Sequence, residues 1–258
     1  MTLCIVGAGA MGRWLAGTLA DASPAVEFAF ADIDAAAAAE ASDTFDAETV
    51  ALAGGTPTAD RTFDTVALTV PIPVVEAAVA DWAPYAESAM LDLSGVMAEP
   101  MAAMREHLPD RERASLHPLF APPRAPGNVA LVADNVGPTL EPLLDALREA
   151  GNELFETTPA EHDDAMSTVQ AKTHAAVLAW ALAGDDVREE FHTPVSADLR
   201  DLAATVTGGD AGVYADIQDA FGGAEAVAEA ARGVADADRE GFETLYDEAA
   251  DAVDGGER

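Results

Sequence analysis

The first two thirds of the chain alternate between short apolar runs and segments with apolar residues at helical spacing. The runs are rich in β-branched or other apolar residues and are mostly bounded by Gly, Pro or Asp, which is typical of buried strands. We predict strands at Leu3–Val6, Val26–Ala31, Thr65–Val70, Ala89–Leu93, Ala114–His117, Val129–Val132 and Glu153–Glu156. Helices are predicted between them at Met11–Ala20, Ala35–Ser42, Val74–Trp82, Met97–His107 and Thr139–Ala150. This alternation predicts a parallel sheet with helices on both faces.

The pattern changes after Thr158, because no strand-like run occurs beyond that residue. Glu161–Ala183 is predicted to be one long helix. Further helices are predicted at Ala197–Thr205, Val213–Phe221, Glu225–Val234 and Asp238–Ala252. The fold class is therefore α/β, with a Rossmann-like doubly wound parallel sheet in residues 1–158 and an all-helical domain in residues 159–258. Small helical domains often bury their apolar faces in a dimer, so we expect a homodimer through these helices.

A glycine-rich motif joins the first predicted strand to the first helix. Gly7-Ala8-Gly9-Ala10-Met11-Gly12 has the spacing GxGxxG, in which Gly7 permits a tight turn, Gly9 lets the backbone approach a pyrophosphate, and Gly12 allows close packing of helix on strand. Asp32 ends the next strand, and a carboxylate there can bind both ribose hydroxyls and would repel a 2′-phosphate. The motif predicts a dinucleotide site for NAD rather than NADP.

Charge and cysteine content narrow the possible partners. The 47 acidic and 13 basic residues give a net charge of −34, which disfavours binding to nucleic acid or to an anionic membrane surface. The acids are spread along the whole chain, as in halophilic proteins of salt-accumulating cells. Cys4 is the only cysteine, so the chain has no internal disulfide or thiolate metal cluster, and no spacing suggests a metal site. No signal peptide or membrane-spanning stretch is recognised, and we expect a cytoplasmic protein.

Two groups of polar residues are candidates for the chemistry. His117 ends a strand and precedes Pro118, at an edge of the sheet where ligands bind, and a histidine there can take a hydroxyl proton while hydride leaves. The alternative is a buried histidine satisfied by the backbone. Gln170 and His174 lie four residues apart on the long helix, where they either line a cleft or form a helix contact. His162, at the start of that helix, is interpreted as a possible helix cap.

Taken together, these motifs resemble those of the short, monofunctional prephenate dehydrogenases. The resemblance rests on the glycine motif with Arg13, on Val70-Pro71-Ile72-Pro73, on Asp92–Val96, on His117-Pro118-Leu119-Phe120-Ala121-Pro122, on Glu161-His162-Asp163 with Gln170 and His174, and on Tyr214-Ala215-Asp216-Ile217. It covers nearly the whole chain. It implies oxidative decarboxylation of prephenate to 4-hydroxyphenylpyruvate with NAD, in tyrosine biosynthesis. Met11 and Pro71 would then contact the cofactor, His117 would help to take the hydroxyl proton, and His174 and Gln170 would line the substrate cleft.

The chain differs from the family pattern at two places. Gly95-Val96-Met97 stands where the family has Ser-Val-Lys, and we predict that the hydroxyl of Ser94 orients His117 instead. Thr205 stands where the family has an arginine for a substrate carboxylate. Arg200 is our predicted replacement, ahead of Arg124 and Lys172.

Other functions fit the residues to different degrees. Arogenate dehydrogenase is the nearest alternative, since arogenate carries an amine where prephenate has its side-chain keto group. A non-catalytic NAD-binding regulatory protein is a second. The lysine–asparagine pair of β-hydroxyacid dehydrogenases and the tyrosine–lysine pair of short-chain dehydrogenases are both missing around Lys172, since Ala176 and Thr168 occupy the partner positions.

Overall fold

The computed structural model describes residues 1–22 and 25–254. The chain divides into two compact units, residues 1–165 and residues 166–258. The predicted boundary after Thr158 lies seven residues earlier, so the start of the long helix groups with the first unit rather than with the second.

The first unit is built on an eight-stranded sheet. Its strands are β1 (Thr2–Val6), β2 (Glu27–Ala31), β3 (Glu48–Thr49), β6 (Phe63–Leu68), β7 (Ala86–Asp92), β8 (Glu112–Pro118), β9 (Asn128–Asn135) and β10 (Glu153–Glu156), while β4 (Leu52–Ala53) and β5 (Thr56–Pro57) form a separate small hairpin. The spatial order is β10-β9-β8-β7-β6-β1-β2-β3. The predicted strands are all present, and the three short strands β3, β4 and β5 are additional.

One strand pairing departs from the fully parallel sheet that the sequence predicts. β8 and β9 pair antiparallel, with His117 opposite Ala130, whereas the other pairs of this sheet are parallel. The connection between them is only the loop of residues 119–127, and a parallel crossover needs a dozen or more residues, usually with a helix. The sheet is therefore mixed, and mostly parallel.

Helices cover both faces of the sheet. They are α1 (Ala10–Ala22), α2 (Ala35–Phe45), α3 (Val75–Trp82), α4 (Ala98–His107) and α5 (Glu141–Glu149). Leu15 and Leu19 of α1 pack with Leu143 and Leu147 of α5 on one side of the sheet. Trp82, Met101 and Met104 of α3 and α4 pack on the other. Burying each such side chain contributes about 1.5–3 kcal/mol, so these two apolar layers hold the sheet between the helices.

The long helix predicted over Glu161–Ala183 is interrupted. α6 (Pro159–Met166) leads into a π-helical turn at Ser167–Lys172, which is succeeded by α7 (Thr173–Ala183). The remaining helices of the second unit are α8 (Pro194–Thr207), α9 (Ala211–Phe221), α10 (Ala224–Asp236) and α11 (Arg239–Asp254). Among the described residues, none of the helices combines the length and the apolar character that crossing a bilayer requires.

Candidate active site

The glycine motif forms the turn between β1 and α1, and its three glycines meet different surroundings. Gly7 has a φ of +105°, and a β-carbon there would lie 2.4 Å from the carbonyl oxygen of Thr69. A β-carbon on Gly12 would lie 2.1 Å from the carbonyl oxygen of Gly7. At Gly9 a β-carbon would meet nothing within 4 Å. Packing thus requires two of the glycines, while the third leaves an open backbone surface at a helix N-terminus, which fits the pyrophosphate of a dinucleotide.

Asp32 lies beside this turn, at the end of β2. Its carboxylate accepts hydrogen bonds from the backbone N–H groups of Ala8 (2.7 Å) and Asp34 (2.8 Å). These bonds hold the carboxylate at the place where a dinucleotide fold receives the adenosine ribose. Arg13, from α1, donates to the carbonyl oxygens of Ala8 (2.9 Å) and Ala37 (3.3 Å). Its guanidinium therefore links the glycine turn to α2. Two other predicted cofactor residues, the half-buried Met11 on α1 and the exposed Pro71 after β6, lie beyond the ends of β1 and β6.

The catalytic histidine predicted from the sequence, His117, is buried near the end of β8 and meets an unexpected partner. Its Nδ1 lies 2.9 Å from Nε2 of His162, which is also buried. Nδ1 of His162 lies 2.7 Å from Oδ1 of Asp163. A carboxylate and two imidazoles therefore form a continuous row, which we call the Asp163–His162–His117 relay. Its motif, Glu161-His162-Asp163, is visible in the sequence, but the interpretation of His162 as a cap missed this contact.

Asp163 anchors the relay to a helix end. Its carboxylate also accepts hydrogen bonds from the backbone N–H groups of Met97 and Ala98, each at 3.0 Å. These two residues lie where α4 begins. Burial alone would raise the pKa of Asp163, but the hydrogen bonds from His162, Ala98 and Met97 outweigh it and lower the pKa below its usual value. The carboxylate is therefore ionised at neutral pH and acts only as an acceptor.

An acceptor at one end of the relay determines the protons along it. Nδ1 of His162 must donate to Asp163, so Nε2 of a neutral His162 is an acceptor. Nδ1 of His117 then donates to that acceptor, so Nε2 is the unprotonated nitrogen of the His117 ring. A β-carbon at Gly95 would lie 3.9 Å from this Nε2, so the turn after β7 passes beside the imidazole. The relay thus supplies a hydrogen-bond acceptor and proton acceptor next to Gly95.

Burial determines how readily His117 takes up a proton. Desolvation, with a smaller contribution from His162, lowers the pKa of His117 to about 3. A single imidazole of that pKa would be a weak base at neutral pH. The relay removes this difficulty, because a proton arriving on Nε2 allows the Nδ1 proton to pass to His162, where the Asp163 carboxylate stabilises the positive charge.

Ser94, the second predicted catalytic residue, has another role. Its hydroxyl donates to the carbonyl oxygen of Val96 (2.8 Å), and its backbone N–H donates to Oδ1 of Asp92 (2.7 Å). The imidazole of His162, rather than this hydroxyl, lies at Nδ1 of His117, so the prediction that the Ser94 hydroxyl orients His117 is corrected. Ser94 shapes the turn that carries Gly95.

Asp92 is a fully buried carboxyl group at the end of β7. Burial raises its pKa to about 6, and the hydrogen bond that it accepts from the Ser94 N–H acts in the opposite direction. The carboxyl proton of Asp92 is therefore held more tightly in the folded protein than in the unfolded chain, where the pKa of the group is about 3.9. The ionised carboxylate lowers the stability of the fold above pH 6, and this loss disappears as the pH falls toward 4.

Asp92→Asn is expected to stabilise the protein at pH 8 by about 1–3 kcal/mol and to leave its stability at pH 4 unchanged. The asparagine oxygen can still accept the Ser94 N–H, and the buried charge is gone. Urea unfolding at both pH values, in the same concentration of KCl, measures the difference. Asp110→Asn, at an exposed position, is the matched control. An equal gain at both pH values would contradict the assignment of the buried proton to Asp92.

The second unit holds the other predicted substrate residues. Gln170 lies within the π-helical turn, and His174 lies in α7. The His174 ring packs edge-to-face on Tyr214 with centroids 4.7 Å apart, and burial lowers its pKa. Arg200 is exposed on α8, with its guanidinium 3.4 Å from Nε2 of His192. Thr205 bonds the backbone of its own helix through its hydroxyl, which donates to the carbonyl oxygen of Asp201 at 3.0 Å. Among the described residues, no cluster of three or more His, Cys, Asp or Glu could hold a metal ion.

Comparison with known proteins identifies relatives of this chain. The 4-amino-4-deoxyprephenate dehydrogenase of Streptomyces pristinaespiralis is 31% identical over 240 residues, which cover 88% of this chain and 80% of that protein. The probable arogenate/prephenate dehydrogenase of Methanocaldococcus jannaschii is 25% identical over 170 residues, which cover 60% of this chain and 38% of that protein. No family model matches.

Solved structures show the same fold. Prephenate dehydrogenase from Aquifex aeolicus, in complex with hydroxyphenyl propionate and NAD+, superposes with a TM-score of 0.71 at 16% identity and covers 98% of each chain. Synechocystis arogenate dehydrogenase superposes with a TM-score of 0.63 at 16% identity and covers 99% of each chain. At this identity the structures support the fold, and the Streptomyces relative shows the family. The predicted family, fold class and enzyme class are confirmed: the chain is a dehydrogenase that belongs to the prephenate/arogenate dehydrogenase family.

Proposed function

We propose that this dehydrogenase converts prephenate to 4-hydroxyphenylpyruvate and CO2 with NAD, as a step of tyrosine biosynthesis. The observation that carries the proposal is the Asp163–His162–His117 relay, in which the bonds at 2.9 and 2.7 Å make Nε2 of His117 an acceptor beside Gly95. Oxidation of a carbinol needs a group that takes the hydroxyl proton as the hydride departs, and a positioned neutral imidazole is such a group. The family supplies the class of substrate.

In this mechanism His117 accepts a hydrogen bond from the ring hydroxyl of prephenate through Nε2. The O–H proton moves to Nε2 as the carbinol carbon loses hydride, and the charge passes to His162 beside Asp163. NAD, when bound across Gly9 and Asp32, supplies the hydride acceptor. The ring carboxylate then leaves as CO2, its bonding electrons pass through the ring to the carbonyl oxygen, which takes a proton back, and the ring becomes aromatic. The protein's own work is to hold the hydroxyl, take its proton and stabilise the resulting charge.

The second unit is proposed to bind the acidic side of the substrate. His174 and Gln170 would line the cleft, and Arg200 would pair with a carboxylate after leaving His192. A local cation is needed, because a dianion in a protein with a net charge of −34 would otherwise be strongly repelled.

We also place the protein in the cytoplasm, and the buried free thiol of Cys4 is compatible with a reducing compartment.

Two other substrates use the same relay. Arogenate has the same ring and differs in its side chain. 4-Amino-4-deoxyprephenate, named for the Streptomyces relative, has an amine in place of the ring hydroxyl, and Nε2 of His117 can accept a hydrogen bond from either group. The relay therefore favours oxidation at the ring carbon and leaves the choice among the three to experiment.

The deciding experiment monitors NADH formation by absorbance with the purified protein in molar KCl. Prephenate, arogenate and 4-amino-4-deoxyprephenate are offered separately, each with NAD and with NADP. The expected result is turnover of prephenate with NAD and a kcat/KM at least about tenfold above the other combinations. Faster turnover of either other substrate would replace prephenate in the proposal. Absence of turnover with all three, from protein that binds NAD, would overturn it.

The second unit is further proposed to form a homodimer. Neither α10 nor α11 buries a residue within the single chain. Phe242, Tyr246 and Val253 recur at helical spacing along α11 and are 48%, 68% and 77% exposed. An amphipathic helix of this kind gains stability by covering its apolar stripe. Light scattering in molar KCl should give a mass of twice the 26.5 kDa of one chain. Tyr246→Glu should lower the measured mass toward that of the monomer. Asp247→Asn, the matched control, should leave the measured mass unchanged. A monomeric wild-type protein would contradict the dimer.

The acidic surface implies a requirement for salt. Self-repulsion among 47 acidic residues is screened within about 3 Å at molar ionic strength, compared with about 10 Å at 0.1 M. We therefore propose that the protein is halophilic, and molar KCl is the medium for every measurement.

A further inference from the structure

The π-helical turn at Ser167–Lys172 determines where two proposed substrate residues lie. Gln170 is inside the turn, and His174 is the second residue after it. Single π-helical turns are rare and frequently lie at functional sites. Because the turn is wider than an α-helical one, it rotates the residues after it relative to a continuous helix. Any contact that stabilises the wide turn therefore also positions His174.

Gln218, on α9, binds the backbone of this turn. Its side-chain Nε2 donates to the carbonyl oxygen of Ala171 at 2.8 Å, and Ala171 is completely buried. A change from α-helical to π-helical bonding alters which carbonyl groups find partners within the helix, and a buried carbonyl without a partner destabilises the fold. The Gln218 amide supplies that partner from a neighbouring helix.

A second contact comes from the loop between α9 and α10. Gly223 has a φ of +146°, and a β-carbon there would lie 2.8 Å from the backbone nitrogen of Lys172 and 3.0 Å from the carbonyl carbon of Ala171. Its backbone thus packs directly against the π-helical turn, with no space for a side chain. Gly222, one residue earlier, also has a positive φ of +60° but would place its β-carbon in open space.

The same helix reaches His174. Tyr214, one turn before Gln218 on α9, packs edge-to-face on the His174 ring at an interplanar angle of 77°. Nδ1 of His174 and Oε1 of Gln218 are both buried without a hydrogen-bond partner in the described part of the chain. α9 therefore contacts both the π-helical turn and the histidine after it, and leaves unpartnered polar atoms on both sides of that contact.

We propose that Gln218, together with Gly223, is a positioning residue that fixes the π-helical turn and thereby the substrate-binding placement of His174 and Gln170. This inference rests on the proposed function, in which those two residues line the substrate cleft. Gln218 acts through the Ala171 carbonyl, so it is expected to influence substrate binding more than the hydride-transfer step.

Gln218→Leu tests the contact, since leucine has a similar size and cannot donate. We expect KM for prephenate to rise at least about tenfold, while kcat and the Kd for NAD stay within about threefold of wild type. Asp219→Asn, an exposed neighbour on α9, should match wild type. A merely structural role would lower the melting temperature and the active fraction, and so kcat, without moving KM. A KM within about twofold of wild type, or an equal rise in the Kd for NAD, would overturn the proposal.

A pair of glycine variants provides an independent test should Gln218→Leu fail to fold. Gly223→Ala introduces a side chain against Lys172, whereas Gly222→Ala introduces backbone strain of a similar kind without that contact. Gly223→Ala is expected to raise KM and Gly222→Ala is not. Equal effects of the two variants on KM would overturn the proposal.

Hydrogen exchange separates failure of this inference from failure of the proposed function. If the wild-type protein turns over none of the substrates, amide exchange over residues 171–175 still reports on the turn. Gln218→Leu should accelerate it at least about tenfold relative to Asp219→Asn, and should weaken binding of the probe hydroxyphenyl propionate. Unchanged exchange at these amides would overturn the positioning role whatever the enzyme's substrate.

Discussion

His117→Asn is expected to lower kcat about 10²–10⁴-fold, the range that a positioned general base commonly contributes. The asparagine removes the Nε2 lone pair that takes the substrate proton. The Kd for NAD should not change, because the glycine turn and Asp32 lie on other elements. Stopped assays for kcat and titration of NAD by fluorescence measure the two quantities on the same protein.

The matched control is His107→Asn, since His107 is an exposed histidine at the end of α4. It should retain full activity. Because burial lowers the pKa of His117 to about 3, its protonation should not limit kcat between pH 5 and 9. A His117→Asn enzyme that retained more than about a fifth of wild-type kcat would remove His117 from the mechanism.

Asp163→Asn is expected to lower kcat at least about 100-fold by removing the negative charge at the end of the relay. Oδ1 of Asp163 accepts hydrogen bonds from Nδ1 of His162 and from the Met97 N–H, whereas Oδ2 accepts one from the Ala98 N–H. An asparagine whose oxygen takes the Oδ1 position can keep the first two bonds, and its NH2 group then replaces Oδ2. The tautomers of the relay are retained, but no carboxylate stabilises the positive charge that reaches His162 with the substrate proton.

The control for this change is Asp164→Asn, the exposed neighbour on the same helix. Nitrogen-15 chemical shifts of the histidine rings distinguish protonated from unprotonated nitrogens, and they should show the same His117 tautomer in the wild type and in both variants. A changed tautomer in Asp163→Asn would attribute the loss of activity to a rearranged relay rather than to the missing charge. Unchanged activity would mean that the relay has no part in catalysis.

Much of the fold could be predicted because it rests on local patterns. β1 matches its predicted range, Leu3–Val6, to within one residue, since apolar runs bounded by turn residues specify strands directly. The direction of β9 could not be predicted in the same way. Its apolar pattern suits either orientation, and the loop of residues 119–127 is too short for a parallel crossover, so β9 runs antiparallel to β8. The π-helical turn is also not predictable from the sequence, because one widened turn barely alters apolar spacing, and Gln218 is 47 residues from its partner Ala171.

Part of the candidate site can be proposed from the sequence for the same reason. His117 is a candidate because ligands bind at the strand ends of such sheets. Its partner His162 is 45 residues away in the chain, and a histidine one residue before an aspartate at a helix start also fits a cap. Ser94 lies one residue before the position of the family's serine, whereas its hydroxyl donates to the carbonyl oxygen of Val96. Contacts between distant segments are the part that neither periodicity nor spacing reveals.

The position of Asp163 has a consequence for how such enzymes could diversify. The whole proton relay lies within residues 1–165, although two of its members come from the helix that leads toward the second unit. A recombination event that joined new helices after Ala165 would keep the relay and the glycine turn together in one segment. One made after Thr158 would separate His117 from His162 and Asp163. The segment that must be inherited together to keep the relay is therefore the nucleotide fold plus the first turns of α6.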